Sequence, residues 1–187
     1  MRITQVGTAG RLFLIQDLVP PALVNDIISA DWSIHATVPP SPQQAQWRRR
    51  EIDMKSHTIQ LQLTEAIHQA CPQIQEHCGV TWNFLGTPTW WLDLPGFDVN
   101  VHTDGHLPSA LQMFWLAPDP QYGTVFYDCH QNVLKQFDFI ANTGYLMLNQ
   151  LNSDGSQPLL WHGMQNTVPP GQIRITTYHV FGEYSHK

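Results

Sequence analysis

Charge is what this sequence has least of. Only 13% of its 187 residues are Asp, Glu, Lys or Arg, so its surface must be built largely from Gln, Asn, Ser, Thr and His. The few charges are unbalanced: 15 acidic against 9 basic, a net charge of −6. A polyanion binder needs a basic face, so this balance disfavours nucleic acid as a partner. The one basic cluster, Arg48-Arg49-Arg50 after Trp47, reads as a solvated or locally paired run. Three cysteines, Cys71, Cys78 and Cys129, are too few and too irregular for a disulfide framework or a cysteine-rich zinc site. No run approaches the roughly 18 apolar residues of a membrane-spanning helix, and the first residues lack the apolar core of a signal peptide. The expectation is a cytoplasmic chain with no membrane partner. What is plentiful is apolar and aromatic side chains, at 42% and 11%, enough for a real hydrophobic core. One domain over residues 1–187 follows from the length.

The pattern changes character near residue 80. Before it, residues 11–17 read as a strand, and Pro20-Pro21 open a helix with Leu23, Ile27 and Ile28 on its apolar stripe. Residues 37–46, with Pro39, Pro40 and Pro42, read as a loop able to cover a site. A second helix is expected from Ser56 to Ala70, burying Ile59, Leu63 and Ile67, with Leu61 a further candidate. Pro72 should end or kink it, and a short segment to Cys78 should close at Gly79. Beyond residue 80, short β-branched and aromatic runs alternate with turn residues. They place strands at 87–93, 98–103, 109–116, 123–127, 133–140, 144–149, 158–163 and 172–181. The fold class is mainly β with flanking helices (α+β): helical support over about 18–80 and a double-stranded β-helix, or jelly roll, over about 86–182.

Four residues carry the chemistry. His102 and Asp104 are two apart near a strand end, so both point to one face. His162 follows 58 residues after Asp104, far enough to return from a non-adjacent strand. Two imidazoles and one carboxylate are a facial ligand set that leaves positions open on Fe(II). His-x-Asp alone is a weak signal; the distal histidine and a later arginine strengthen it. Arg174 follows the turn Thr167-Val168-Pro169-Pro170-Gly171, and a hairpin centred near Val168 would set it opposite His162. Its planar fork suits a carboxylate. Alternation over 172–181 puts Thr176 and Tyr178 on the same face as Arg174, and Ile173, Ile175, Thr177 and His179 on the other.

These residues resemble the 2-oxoglutarate- and Fe(II)-dependent dioxygenases, most closely the prolyl-4-hydroxylase-like branch, over roughly residues 86–182. The resemblance implies metal ligation by His102, Asp104 and His162, and 2-oxoglutarate held by Arg174 and Thr176. Gly96 matches a glycine six residues before the first histidine. Trp115 stands where relatives often carry a tyrosine near the co-substrate, and Tyr122-Gly123 where they carry a Gly-Gly pair. The implied cofactors are Fe(II), 2-oxoglutarate as co-substrate and O2, with ascorbate as an accessory. The implied reaction couples oxidative decarboxylation of 2-oxoglutarate to hydroxylation of a peptidyl, amino-acid or small-molecule C–H bond. The carboxylate of Asp104 favours hydroxylation over halogenation, and the lack of an arginine after Arg174 disfavours nucleic-acid dealkylation. His106 is set aside as a ligand because the triad is complete without it. Tyr127 and one of Trp90 and Trp91 are candidates for the pocket wall. Two other readings stay open: a cupin-like metal protein that does not use 2-oxoglutarate, and a non-catalytic jelly-roll module. Substrate and oligomeric state are not written in these motifs.

Overall fold

A computed structural model of the chain describes all residues except 8–10, 36, 55–56, 83–84, 105–106, 129, 150–159, 165 and 187. His106, Cys129 and the first residues of the strand expected at 158–163 therefore lie outside the described residues.

The chain begins with β1 (Arg2–Val6), a strand the sequence pattern did not mark, and β2 (Leu12–Gln16). Helix α1 (Pro21–Ser29) carries proline in its first turn, where no donor is lost. The expected loop at 37–46 holds a short helix, α2 (Pro42–Gln46), started by a reciprocal capping box between Ser41 and Gln44. Strand β3 (Arg49–Ile52) follows it, also unexpected. Helix α3 (Thr58–Cys78) runs straight through Pro72. Pro72 sits on the solvent side, while Ile67, Cys71 and Ile74 pin both halves of the helix to the core. Gly79 ends α3 in the left-handed conformation, as expected. Leu61 points outward and is 60% exposed, so it does not belong to the buried face.

The remaining strands are β4 (Val80–Trp82), β5 (Thr89–Asp93), β6 (His102–Thr103), β7 (Ser109–Leu116), β8 (Thr124–Tyr127), β9 (Val133–Phe137), β10 (Thr143–Leu148), β11 (Trp161–Met164), β12 (Arg174–Val180) and β13 (Tyr184–His186). They form two main antiparallel sheets, one ordered β1-β2-β10-β7-β12-β5-β3 and the other β6-β11-β8-β9, with β13 and β4 paired apart. This is the jelly roll expected from the motif order.

Strand periodicity decides what fills each layer. On β7, Leu111, Met113 and Trp115 join one apolar cluster with α1 and α3, whereas Ala110 and Phe114 join another with Phe126 and Phe137 of the smaller sheet. On β10, Leu146 and Leu148 face the helices, while Tyr145 and Met147 face the smaller sheet. The large sheet is thus backed by helices on one side and opens on a cavity on the other. Among the described residues no helix is long and apolar enough to cross a membrane.

Candidate metal centre and carboxylate anchor

His102 and His162 meet because β6 and β11 are hydrogen-bonded neighbours with these two residues in register. Asp104 follows β6 directly. One ligand atom from each of the three lies within 4.8 Å of the others. The Nε2 atoms of His102 and His162 each approach a different carboxylate oxygen of Asp104 at 3.5 Å. The opposite ring nitrogens face backbone carbonyls, His102 Nδ1 at 2.8 Å from Asn100 and His162 Nδ1 at 3.3 Å from Leu160. With Nδ1 held to a backbone carbonyl, each Nε2 could shed its proton and offer a lone pair at the shared point when a metal binds, the tautomer a metal requires. Phe126 stacks on the His162 ring and fixes its plane.

Burial by itself would raise the Asp104 carboxyl. Hydrogen bonding with His102 and His162, the charge of His162 and the Tyr178 hydroxyl outweigh it and hold the group well below the usual carboxylate range. Tyr178 donates to Asp104 Oδ2 at 2.8 Å. Burial first, then the Asp104 charge, push the Tyr178 phenol upward, so it stays a donor. Two imidazoles and an ionised carboxylate around one point are a donor set that fits a divalent cation, which would replace the Nε2 protons.

The triad borders a cavity of about 270 Å³ whose wall also includes Arg49, Gln112, Tyr145 and Arg174. Arg174 is 2% exposed and comes from the facing sheet. Here the structure corrects the hairpin expectation. β11 pairs with β6 and β8, β12 pairs with β5 and β7, and residues 166–173 lead from one sheet to the other. Val168 is drawn away by two backbone hydrogen bonds, its amide to the Phe97 carbonyl and its carbonyl from the Gly96 amide. His162 and Arg174 therefore confront one another across the cavity.

Arg174 Nε donates to Asp93 Oδ2 at 2.8 Å, and one terminal nitrogen donates to the Tyr122 carbonyl at 2.7 Å. The hydroxyl of Thr176, on the same face of β12, is fully buried and lacks a hydrogen-bond partner. An orphaned hydroxyl beside a guanidinium with donors to spare fits a ligand carboxylate.

Trp115 does not line the cavity. It is out of phase with Gln112 along β7, so it faces the helices, stacks against Trp90 and donates from its indole to Thr177 Oγ1 at 3.0 Å. The polar side chains the sequence reading missed are Gln112 and Tyr145. The Tyr145 hydroxyl donates to Gln112 Oε1, and the phenol, pushed up by burial and by Asp104, stays protonated. Trp91, not Trp90, reaches the cavity, and Tyr127 is absent from its wall. Arg49 is also part of this wall; in the run expected to be solvated or locally paired it is the paired residue. Alternation along β3 leaves Arg50 exposed and turns Arg49 inward, where it pairs with Asp93 through two contacts at 2.6 and 3.1 Å.

No protein-family model matches the chain, and no curated protein matches it by sequence. Solved structures do match its shape. The viral collagen prolyl hydroxylase of Paramecium bursaria Chlorella virus-1, in its 2-oxoglutarate complex, superposes with a TM-score of 0.58 at 12% identity, over 91% of this chain and 94% of that one. A Pseudomonas putida prolyl-4-hydroxylase gives 0.58 at 14% identity, over 92% of each chain. HygX from Streptomyces hygroscopicus, with nickel and 2-oxoglutarate bound, gives 0.58 at 12% identity, over 94% of this chain and 83% of that one. The fold is that of the prolyl-hydroxylase-like 2-oxoglutarate and Fe(II) oxygenases. Within it this chain carries its own His-Asp-His cluster.

Proposed function

We propose that the protein is a 2-oxoglutarate- and Fe(II)-dependent hydroxylase. The observation that carries this reading is the pairing of two ends of one cavity. His102, Asp104 and His162 converge at one end and Arg174 stands at the other, with the buried, unpartnered Thr176 hydroxyl two residues along the same face of β12. A 2-oxo acid with a distal carboxylate needs both ends. Iron(II) with 2-oxoglutarate supplies oxygen activation coupled to oxidative decarboxylation. The chain's own residues supply placement. His102, Asp104 and His162 would hold the metal, Arg174 and Thr176 would receive the distal carboxylate, and the Tyr145–Gln112 and Tyr178–Asp104 hydrogen bonds orient the side chains between them. Apolar Phe97 and Val99 exclude water from the same space. The substrate would enter past Trp47, whose ring lies 6.2 Å from that of His102. A peptidyl or amino-acid side chain, or another small molecule, fits this description. The carboxylate of Asp104 supports hydroxylation as the outcome.

The test is an anaerobic titration of the protein with Fe(II) and then 2-oxoglutarate, following the visible charge-transfer band of the chelate. A band in the wild type that weakens in Arg174→Ala is expected. Iron uptake with no band would reject the 2-oxoglutarate reading and favour a metal protein of another kind.

A further inference from the structure

Arg174 does not stand alone. Asp93 on β5 is in register with Arg174 of β12 on one side and with Arg49 of β3 on the other. Side chains in register on adjacent antiparallel strands share a face, so three charges lie in a row across the sheet. Asp93 is fully buried and takes hydrogen bonds from both guanidiniums. Both guanidiniums lie over the Phe97 ring, Arg49 at 4.5 Å and Arg174 at 5.0 Å from its centre. Among the described residues, no acceptor beyond Asp93 engages Arg49, and none beyond Asp93 and the Tyr122 carbonyl engages Arg174.

The charge arithmetic matters here. Asp93 and Arg174 by themselves make a neutral pair, and a neutral pair has little attraction for a carboxylate. A second arginine changes the sum to +1 − 1 + 1, one net positive charge in a nearly dry setting where Coulomb forces are weakly screened. We propose that the co-substrate anchor is the three-residue unit Arg49–Asp93–Arg174. Asp93 fixes the orientation of Arg174, and Arg49 cancels the charge of Asp93, so that one unit of positive charge is left for a single carboxylate. Arg49 is then a positioning residue that acts through Asp93. The inference rests on the 2-oxoglutarate reading above and adds to it a residue 125 positions away from Arg174 in the sequence.

The experiment is calorimetric titration of 2-oxoglutarate into the manganese-loaded protein, so that binding is read without turnover. Arg49→Gln should raise Kd at least tenfold. Arg49→Lys, which keeps a cation beside Asp93, should stay within about threefold of wild type. The double variant Arg49→Gln with Asp93→Asn restores the net charge and should bind at least fivefold tighter than Arg49→Gln alone. Packing loss would treat Lys and Gln alike and would not be rescued by a second substitution, so these two arms separate charge from structure. Should Arg49→Gln fold poorly, Arg49→Lys and the neutralised double variant still decide the matter. Unchanged Kd in Arg49→Gln, or no recovery in the double variant, overturns the inference and leaves the 2-oxoglutarate reading intact. Manganese-loaded wild type that does not bind 2-oxoglutarate at all overturns both.

Discussion

Strand β12 carries polar side chains on both faces, and the two faces treat them differently. Toward the cavity it presents Arg174, Thr176 and Tyr178; toward the helices it presents Thr177 and His179 among apolar neighbours. On the cavity side Arg174 stays charged because Asp93 answers it. On the helix side no countercharge pairs with His179 among the described residues. His179 is 1% exposed, both ring nitrogens lack partners, and its edge meets His68 of α3. Burial first, and then His68, push its pKa down to about 4, so it sits there as a neutral ring. One strand thus shows both solutions to burying a titratable group: pair it, or keep it uncharged.

The strongest break in this comparison should come from the cavity side. His102→Ala or Asp104→Ala should weaken metal binding by more than about 100-fold, since even indirect supports of a ligand are worth 10–100-fold. Their melting temperatures should stay near wild type. Metal content and a thermal melt on the same samples check both halves, and comparable metal content in the variants would defeat the ligand assignment.

The helix side should respond in the opposite sense. Trp115→Ala removes a fully buried ring that stacks on Trp90 and should cost about 3–5 kcal/mol of stability. Its folded fraction should bind 2-oxoglutarate as wild type does, because the ring lies across the sheet from the cavity. Denaturant melts and calorimetry separate the two effects. A specific loss of co-substrate affinity would return Trp115 to the site.

His179 sharpens the contrast through pH. Its folded pKa, near 4, lies below the ordinary value of about 6.5. The unfolded chain therefore binds a proton that the folded chain refuses. Stability from this residue is fully present above pH ~6.5 and drains as pH falls toward 4, at no more than about 1.4 kcal/mol per pH unit. Urea melts at pH 7, 6 and 5 should show this slope, and His179→Phe should flatten it.

The smallest effect should come from Thr176→Val. The hydroxyl has no partner among the described residues, so its loss should leave stability unchanged or slightly raised. If it serves a bound carboxylate, losing one hydrogen bond should weaken 2-oxoglutarate by about 0.5–1.5 kcal/mol. An unchanged Kd would remove Thr176 from the anchor.

Much of the metal cluster was legible because it depends on local rules. A two-residue spacing at a strand end brings His102 and Asp104 together, and alternation along 172–181 sorted Arg174 and Tyr178, which line the cavity, from Thr177 and His179, which meet Trp115 and His68. Local rules failed where partners had to be chosen. The turn after His162 reads as a hairpin, yet Val168 bonds to Phe97 and the two strands part into different sheets. Arg49 sits in a run of three arginines that reads as solvated or locally paired, and only strand β3, just past the proline-rich stretch, turns it inward to a partner 44 residues away. Trp115 was misplaced because a family position was carried over without its phase along β7.

Sequence alone determined the ligand types, their spacing within single strands and the alternation of faces, because those follow from backbone geometry that each segment carries with it. Tertiary structure alone decided which strands became neighbours. That choice brought Arg49 and Arg174 to opposite flanks of Asp93, put Tyr145 beside Gln112 and set Arg174 across from His162. Pairing between distant strands depends on how the whole set of apolar faces is buried together, and no single segment encodes that outcome.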